Sequence, residues 1–204
     1  MMTVENNLAR GGQKFLTPVR HETVLVQLEA PTALDVDRPE TFELVDGNNL
    51  IMQFAISSLY VVDGTVNPAR FCAALSRTLQ RFPTAAGRLG RKGDDWHIDL
   101  CNAPVPVHVA SSPSHHVLPH LHSADRLARS DDAPSAAYVV QPTPHVELYV
   151  DKVDLAAAMT GASDAYLCSF VLTHMGDGRT VVGLSWHHVL GDQVIGLWAM
   201  TCVC

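Results

Sequence analysis

No stretch of this chain reaches the roughly 18 consecutive apolar residues that a membrane-spanning helix needs. It does not open like a secretory leader either: MMTVENNLARGGQKF places Glu5, Asn6 and Asn7 where a leader requires a basic start and an apolar run. Basic charge is also short. Lys and Arg number 14 against 21 Asp and Glu, a formal net charge of −7, which removes the electrostatic reason to expect nucleic acid or an anionic membrane as partner. The 5 cysteines, Cys72, Cys101, Cys168, Cys202 and Cys204, are odd in number and scattered. The closest two form C-x-C, not a metal-type C-x-x-C pair. This is reduced-thiol usage, and with no leader in view it places the protein in the cytoplasm. What the chain does have is apolar residues: 47% of 204, enough for one large domain or two small ones with a sizeable core.

Glu22–Leu28 alternates polar and apolar residues and predicts a strand. Residues 51–62 read as a strand, or as a helix end running into one, stopped at the turn dipeptide Asp63-Gly64. The best helix follows. Asn67 caps it, Pro68 fits the first helical position, and Cys72, Leu75, Leu79 and Phe82 recur at helical spacing before Pro83 ends the pattern. Trp96–Leu100 alternates as one strand of a hairpin after a Gly-Asp-Asp turn. Residues 111–165 are dominated by Ser, Pro, Ala, His and Asp, with short strand-like runs at 138–140 and 146–150, and predict a long surface excursion. Strand character returns over 165–174, a turn falls at Met175–Gly178, and 180–186 completes a second hairpin. No internal repeat is visible.

That last strand ends in His187-His188-Val-Leu-Gly191-Asp192. Gly191 permits a sharp bend, and Asp192 is placed to cap the amphipathic run Val194, Ile195, Trp198, Ala199. A histidine held at a strand end and oriented by a neighbour can take a proton from a hydroxyl or amine. On spacing alone, a satisfied, partly buried His188 followed by a helix cap is the favoured reading of H-x-x-x-D, because short motifs recur by chance.

A second motif adds to this one. Leu75-Ser-Arg-Thr-Leu-Gln-Arg-Phe82-Pro83 followed by Ala86-Gly87-Arg88-Leu89 is similar to the L-S-x-T-L-x-x-F-P-x-x-A-G-R-L of the BAHD acyltransferases. The histidine pair with Asp192, and then Trp198-Ala199, follow in the family's order, with the Trp96–Ile98 strand and Cys101-Asn102 between. The chain thus resembles the N-terminal half of these acyl-CoA-dependent enzymes, its fungal members above all. The resemblance implies an α/β fold, a mixed β-sheet with packed helices of the chloramphenicol-acetyltransferase-like architecture, as a single N-terminal domain over residues 1–204. It implies transfer of an acyl group from acyl-CoA to a hydroxyl or amine of a small secondary metabolite. His188 would be the general base, Asp192 and Gly191 would shape the loop, and His187 would be a neighbour without chemistry. Acyl-CoA enters as co-substrate, and no tightly bound cofactor is expected.

The family's second domain, with its D-F-G-W-G motif, is not in this sequence, and Gln193 stands where the family most often has Gly. The apolar pattern after Asp192 stops at Cys-Val-Cys without Gly, a basic turn or a polar tail. It reads as an interrupted chain whose exposed apolar surface would favour association. The alternative function is therefore an inert half-domain or binding module of the same fold.

Other candidates are weaker. His115, His116, His120 and His122 have no cysteine nearby, and Pro119 breaks their alignment, so no metal site is expected. Asp131-Asp132 reads as a solvated turn, and Gly11-Gly12 is too isolated to cradle phosphate. A serine hydrolase lacks the G-x-S-x-G elbow, and Ser185 lies within the strand before His187.

Overall fold

The computed structural model describes residues 17–28, 40–44, 54–113, 146–161 and 165–191. Their strands are β1 (Val19–Val26), β2 (Thr41–Glu43), β3 (Ala55–Val62), β4 (Arg88–Lys92), β5 (Asp95–Asp99), β6 (Val105–Ser112), β7 (Cys168–Met175) and β8 (Thr180–His187). Their α-helices are α1 (Pro68–Arg81) and α2 (Leu155–Met159). A five-stranded sheet runs β1-β6-β7-β8-β3, and a three-stranded sheet runs β2-β5-β4. Only β6 and β7 pair in parallel; the other neighbours in the large sheet are antiparallel. The expected mixed sheet with packed helices is what the chain forms.

α1 starts and stops where local chemistry directs. The Asn67 side chain accepts the Arg70 N–H at 3.0 Å, Pro68 occupies the first turn, and Phe82 closes the helix before Pro83. Its inner stripe, Phe71, Leu75 and Leu79, packs on Val105, Val107, Phe170, Leu172, Val182, Leu184 and Trp186 of the large sheet. Phe71 meets Phe170 edge-on, with ring centroids 5.5 Å apart, a favoured aromatic geometry. The turn between β7 and β8 is the expected one: the Met175 N–H bonds to Arg179 O at 2.9 Å, and Gly178 adopts φ +85°.

Several boundaries differ from the sequence reading. β1 begins three positions before the expected Glu22, and residues 55–62 are strand without a preceding helix in the described part. The hairpin around Gly93 is longer, since Arg88–Lys92 pairs along Asp95–Asp99. β6 was not expected at all. The largest correction concerns the surface excursion over 111–165. Residues 146–161 lie against the second face of the large sheet, with Tyr149, Val150 and Val153 buried and Tyr149 packed beside Val181 and Met175. Residues 146–148 form a 3-10 turn where a strand-like run was read. Gly183 explains the fit. A Cβ there would run into the Tyr149 carbonyl oxygen, so the bare backbone of β8 is what admits this segment. β7 and β8 are consequently covered on both faces.

The three-stranded sheet packs Leu89, Trp96 and Ile98 against Ala158 of α2 and Leu167. Val189 and Leu190, in the turn after β8, also touch this cluster. The turn that carries the histidine motif is thus wedged between the two sheets. Among the described residues no helix is long and apolar enough to cross a membrane.

Candidate active site

β8 runs one residue further than expected and includes His187, whose partner in β3 is Ala55. His187 is fully buried, and its backbone N–H bonds to Leu167 O at 2.7 Å. Its ring Nδ1 accepts the Val189 N–H at 3.3 Å, and its Nε2 has no hydrogen-bond partner among the described residues. Burial, and then the nearby His188, push its pKa down from 6.5 to about 4. His187 is a neutral ring that holds the start of the following turn.

His188 opens that 3-10 turn, His188–Leu190, and is half-buried. Its backbone N–H bonds to Phe54 O at 3.0 Å, extending the β3–β8 ladder by one step. His187 keeps an extended backbone, φ −67° and ψ 134°, so strand alternation carries through to the next residue. Val182, Leu184 and Trp186 face α1, and the same parity puts His188 on the α1 side. His187 faces the other way. The turn closes with the Gly191 N–H on His188 O at 3.0 Å, and the Trp186 indole N–H donates to Gly191 O at 3.0 Å. Gly191 takes φ +126° with ψ 179°, a conformation essentially confined to glycine. The bend expected at Gly191 is present. Asp192 and the amphipathic run behind it lie outside the described residues.

An apolar cavity of about 80 Å³ opens beside this turn, between the C-terminal half of α1 and the sheet. Leu75, Leu79, Phe82, Phe170, Trp186 and Leu190 contribute to its wall. Cys168 also borders it, a fully buried thiol whose pKa burial pushes up to about 12. That group is a packing residue rather than a nucleophile. Ser185 is fully buried, accepting from Ser57 Oγ and from the Val153 N–H, each at 3.3 Å, and no substrate reaches it. His115, His116, His120, His122, Asp131, Asp132, Gly11 and Gly12 lie outside the described residues. Among the described residues no group of three or more His, Cys, Asp or Glu side chains is arranged to hold a metal ion.

Sequence reasoning missed a second polar cluster. Asp151 accepts from Arg20 at 2.9 Å, from His108 at 3.1 Å and from the Tyr166 hydroxyl. These residues come from β1, β6, the 146–161 segment and the lead into β7, so no spacing along the chain announces them. The faint signal was Asp151 directly after the strand-like run 146–150.

No family model and no curated protein matches the sequence. Solved structures do match. Vinorine synthase superposes with a TM-score of 0.53 at 17% identity, over 91% of this chain and 42% of that one. The starter condensation domain of rhizomide synthetase, in complex with C8-CoA, superposes with a TM-score of 0.52 at 17% identity, over 80% of this chain and 34% of that one. The same domain with C8-CoA and Leu-SNAC gives 0.51 at 14% identity, over 80% and 34%. The chain has the chloramphenicol-acetyltransferase-like fold that these proteins share. It spans about two fifths of the length of vinorine synthase.

Proposed function

We propose that the chain serves acyl transfer from an acyl-CoA thioester to a hydroxyl or amine of a small metabolite, with His188 as general base. The observation that carries this reading is the placement of His188. It follows the last strand directly, is tied to Phe54 by its backbone, and is shaped by Gly191 into a turn beside an apolar cavity. A fold neighbour was solved with C8-CoA, and with C8-CoA together with Leu-SNAC, which supports a thioester donor. In the proposed step the imidazole takes the proton of the acceptor, the freed oxygen or nitrogen attacks the thioester carbonyl, and the tetrahedral intermediate expels CoA thiolate. The thiolate then receives the proton from His188. Asp192 is assigned to holding the loop, in line with the BAHD resemblance.

Positioned general-base help is typically worth about 100- to 10,000-fold in rate. Purified protein incubated with acyl-CoA and a panel of alcohols and amines is expected to form acylated product, followed by mass spectrometry. His188→Ala is expected to lower turnover by about that factor with an unchanged circular dichroism spectrum. Turnover that survives the substitution removes His188 from the base role.

The alternative is an inert half-domain or binding module of the same fold; the match spans 42% of vinorine synthase and 34% of the condensation domain. Background hydrolysis alone, with no dependence on His188, would select it.

A further inference from the structure

On the opposite face of the large sheet, away from His188, three side chains form a hydroxyl–imidazole–carboxylate line. Thr23 of β1 and His108 of β6 are direct cross-strand partners, and Thr23 Oγ1 lies 2.8 Å from His108 Nδ1. His108 Nε2 lies 3.1 Å from Asp151 Oδ2. When Nε2 donates to the carboxylate, Nδ1 is left with its lone pair toward the threonine, so the hydroxyl donates to it. The acid is firmly ionised. The His108 N–H first, and also the Tyr166 hydroxyl and the Arg20 guanidinium, hold its carboxyl well below the usual carboxylate range against the opposing effect of burial. The Ser169 hydroxyl donates to Asp151 O and fastens the backbone beneath it. Thr23 is exposed, whereas the His108 and Asp151 side chains are only 12% and 19% exposed.

We propose that Thr23 is a nucleophile for activated carboxylic esters and thioesters, with His108 as its base and Asp151 as the residue that positions His108. A nucleophile hydrogen-bonded to a base that a third group orients is the general arrangement for covalent catalysis. Thr23 Oγ1 attacks the carbonyl carbon while its proton passes to His108 Nδ1. The tetrahedral intermediate collapses, the carbon–leaving-group bond breaks, and the departing thiolate or alkoxide takes the proton from His108. Thr23 then carries the acyl group as an ester. Water, deprotonated by the same imidazole, attacks that ester; the intermediate expels Thr23 Oγ1, which takes the proton back from His108, and the carboxylic acid leaves, so the sum is hydrolysis with no co-reactant other than water. Arg20, half-exposed, pairs with the other oxygen of the same carboxylate and helps hold Asp151 in place. None of this depends on His188.

The test is a stopped-flow burst with p-nitrophenyl acetate on the full chain, followed by mass spectrometry of the acylated peptide. Wild type is expected to release a burst of p-nitrophenolate and to carry the acetyl group on Thr23. Thr23→Val, a near-isosteric change at an exposed position, is expected to reduce the burst at least ~10-fold, and Thr23→Ser to retain it. Asp151→Asn is expected to slow the burst and Asp151→Glu to recover part of it, a rescue that a purely structural role would not show. A burst unchanged in Thr23→Val, an acetyl group found only on other residues, or no burst in wild type overturns the proposal. The Thr23 variants decide the matter even where an Asp151 variant fails to fold.

Discussion

One position separates an imidazole that the fold seals from one that it leaves half-buried. His187 closes the strand ladder and gives its Nδ1 to the Val189 N–H, so its ring is committed to the turn. Among the described residues His188 bonds through its backbone, to Phe54 and Gly191, and its ring is half-buried. Gly191 closes the turn behind them, and its φ of +126° is open to glycine and strained for any other residue. Gly191→Ala is therefore expected to destabilise the protein by about 1–3 kcal/mol. The measurement is the urea midpoint, and a loss smaller than the error of the midpoint would show that the turn relaxes without strain. The motif itself was legible in the sequence as a strand end followed by a bend. What was not legible is which of two adjacent histidines faces α1, because that depends on where β8 ends to within one residue.

At the scale of elements, α1 was readable nearly to the residue, since Asn67, Pro68 and Pro83 act on their immediate neighbours. Replacing Asn67 with Ala removes the acceptor of the Arg70 N–H and is expected to lower stability by about 1 kcal/mol. Thermal denaturation of the variant measures this. β6 was not read from the sequence although Val105, Val107 and Val109 alternate; Pro106 lies within the run, and proline argues against an interior strand. The strand accommodates it near its beginning, where pairing with β7 has not yet started; that pairing begins at Val107. The 146–161 segment escaped for a different reason. Its burial depends on the missing side chain of Gly183, on another element. Gly183→Ala pushes a methyl into the Tyr149 carbonyl and is expected to cost about 1–3 kcal/mol or more, with exposure of Tyr149 followed by its fluorescence. A neutral effect would show that the segment is loosely held.

For the whole molecule, acidification acts through two groups in two windows. His187 has a folded pKa of about 4 against 6.5 when free, so the unfolded chain binds more protons between these values. Its contribution is complete above pH 6.5 and is lost as pH falls toward about 4. Asp151 is depressed below its ordinary value of 3.8, so its contribution is present above that value and is lost only at lower pH. The urea midpoint is expected to fall already between pH 6.5 and about 4, and His187→Gln to flatten that portion of the curve. A flat profile in wild type over this range would contradict the sealed, neutral ring. The sequence by itself determined the elements whose causes are local: a helix between its cap and its stop, the β7–β8 hairpin around its turn, and a histidine at a strand end. Tertiary structure alone decided which face each imidazole takes and which residues gather on Asp151, whose partner Arg20 is 131 positions away. Helical periodicity and capping act over a few residues and leave a mark on the chain, whereas strand register and the close approach of Tyr149 to Gly183 arise only when distant segments pack.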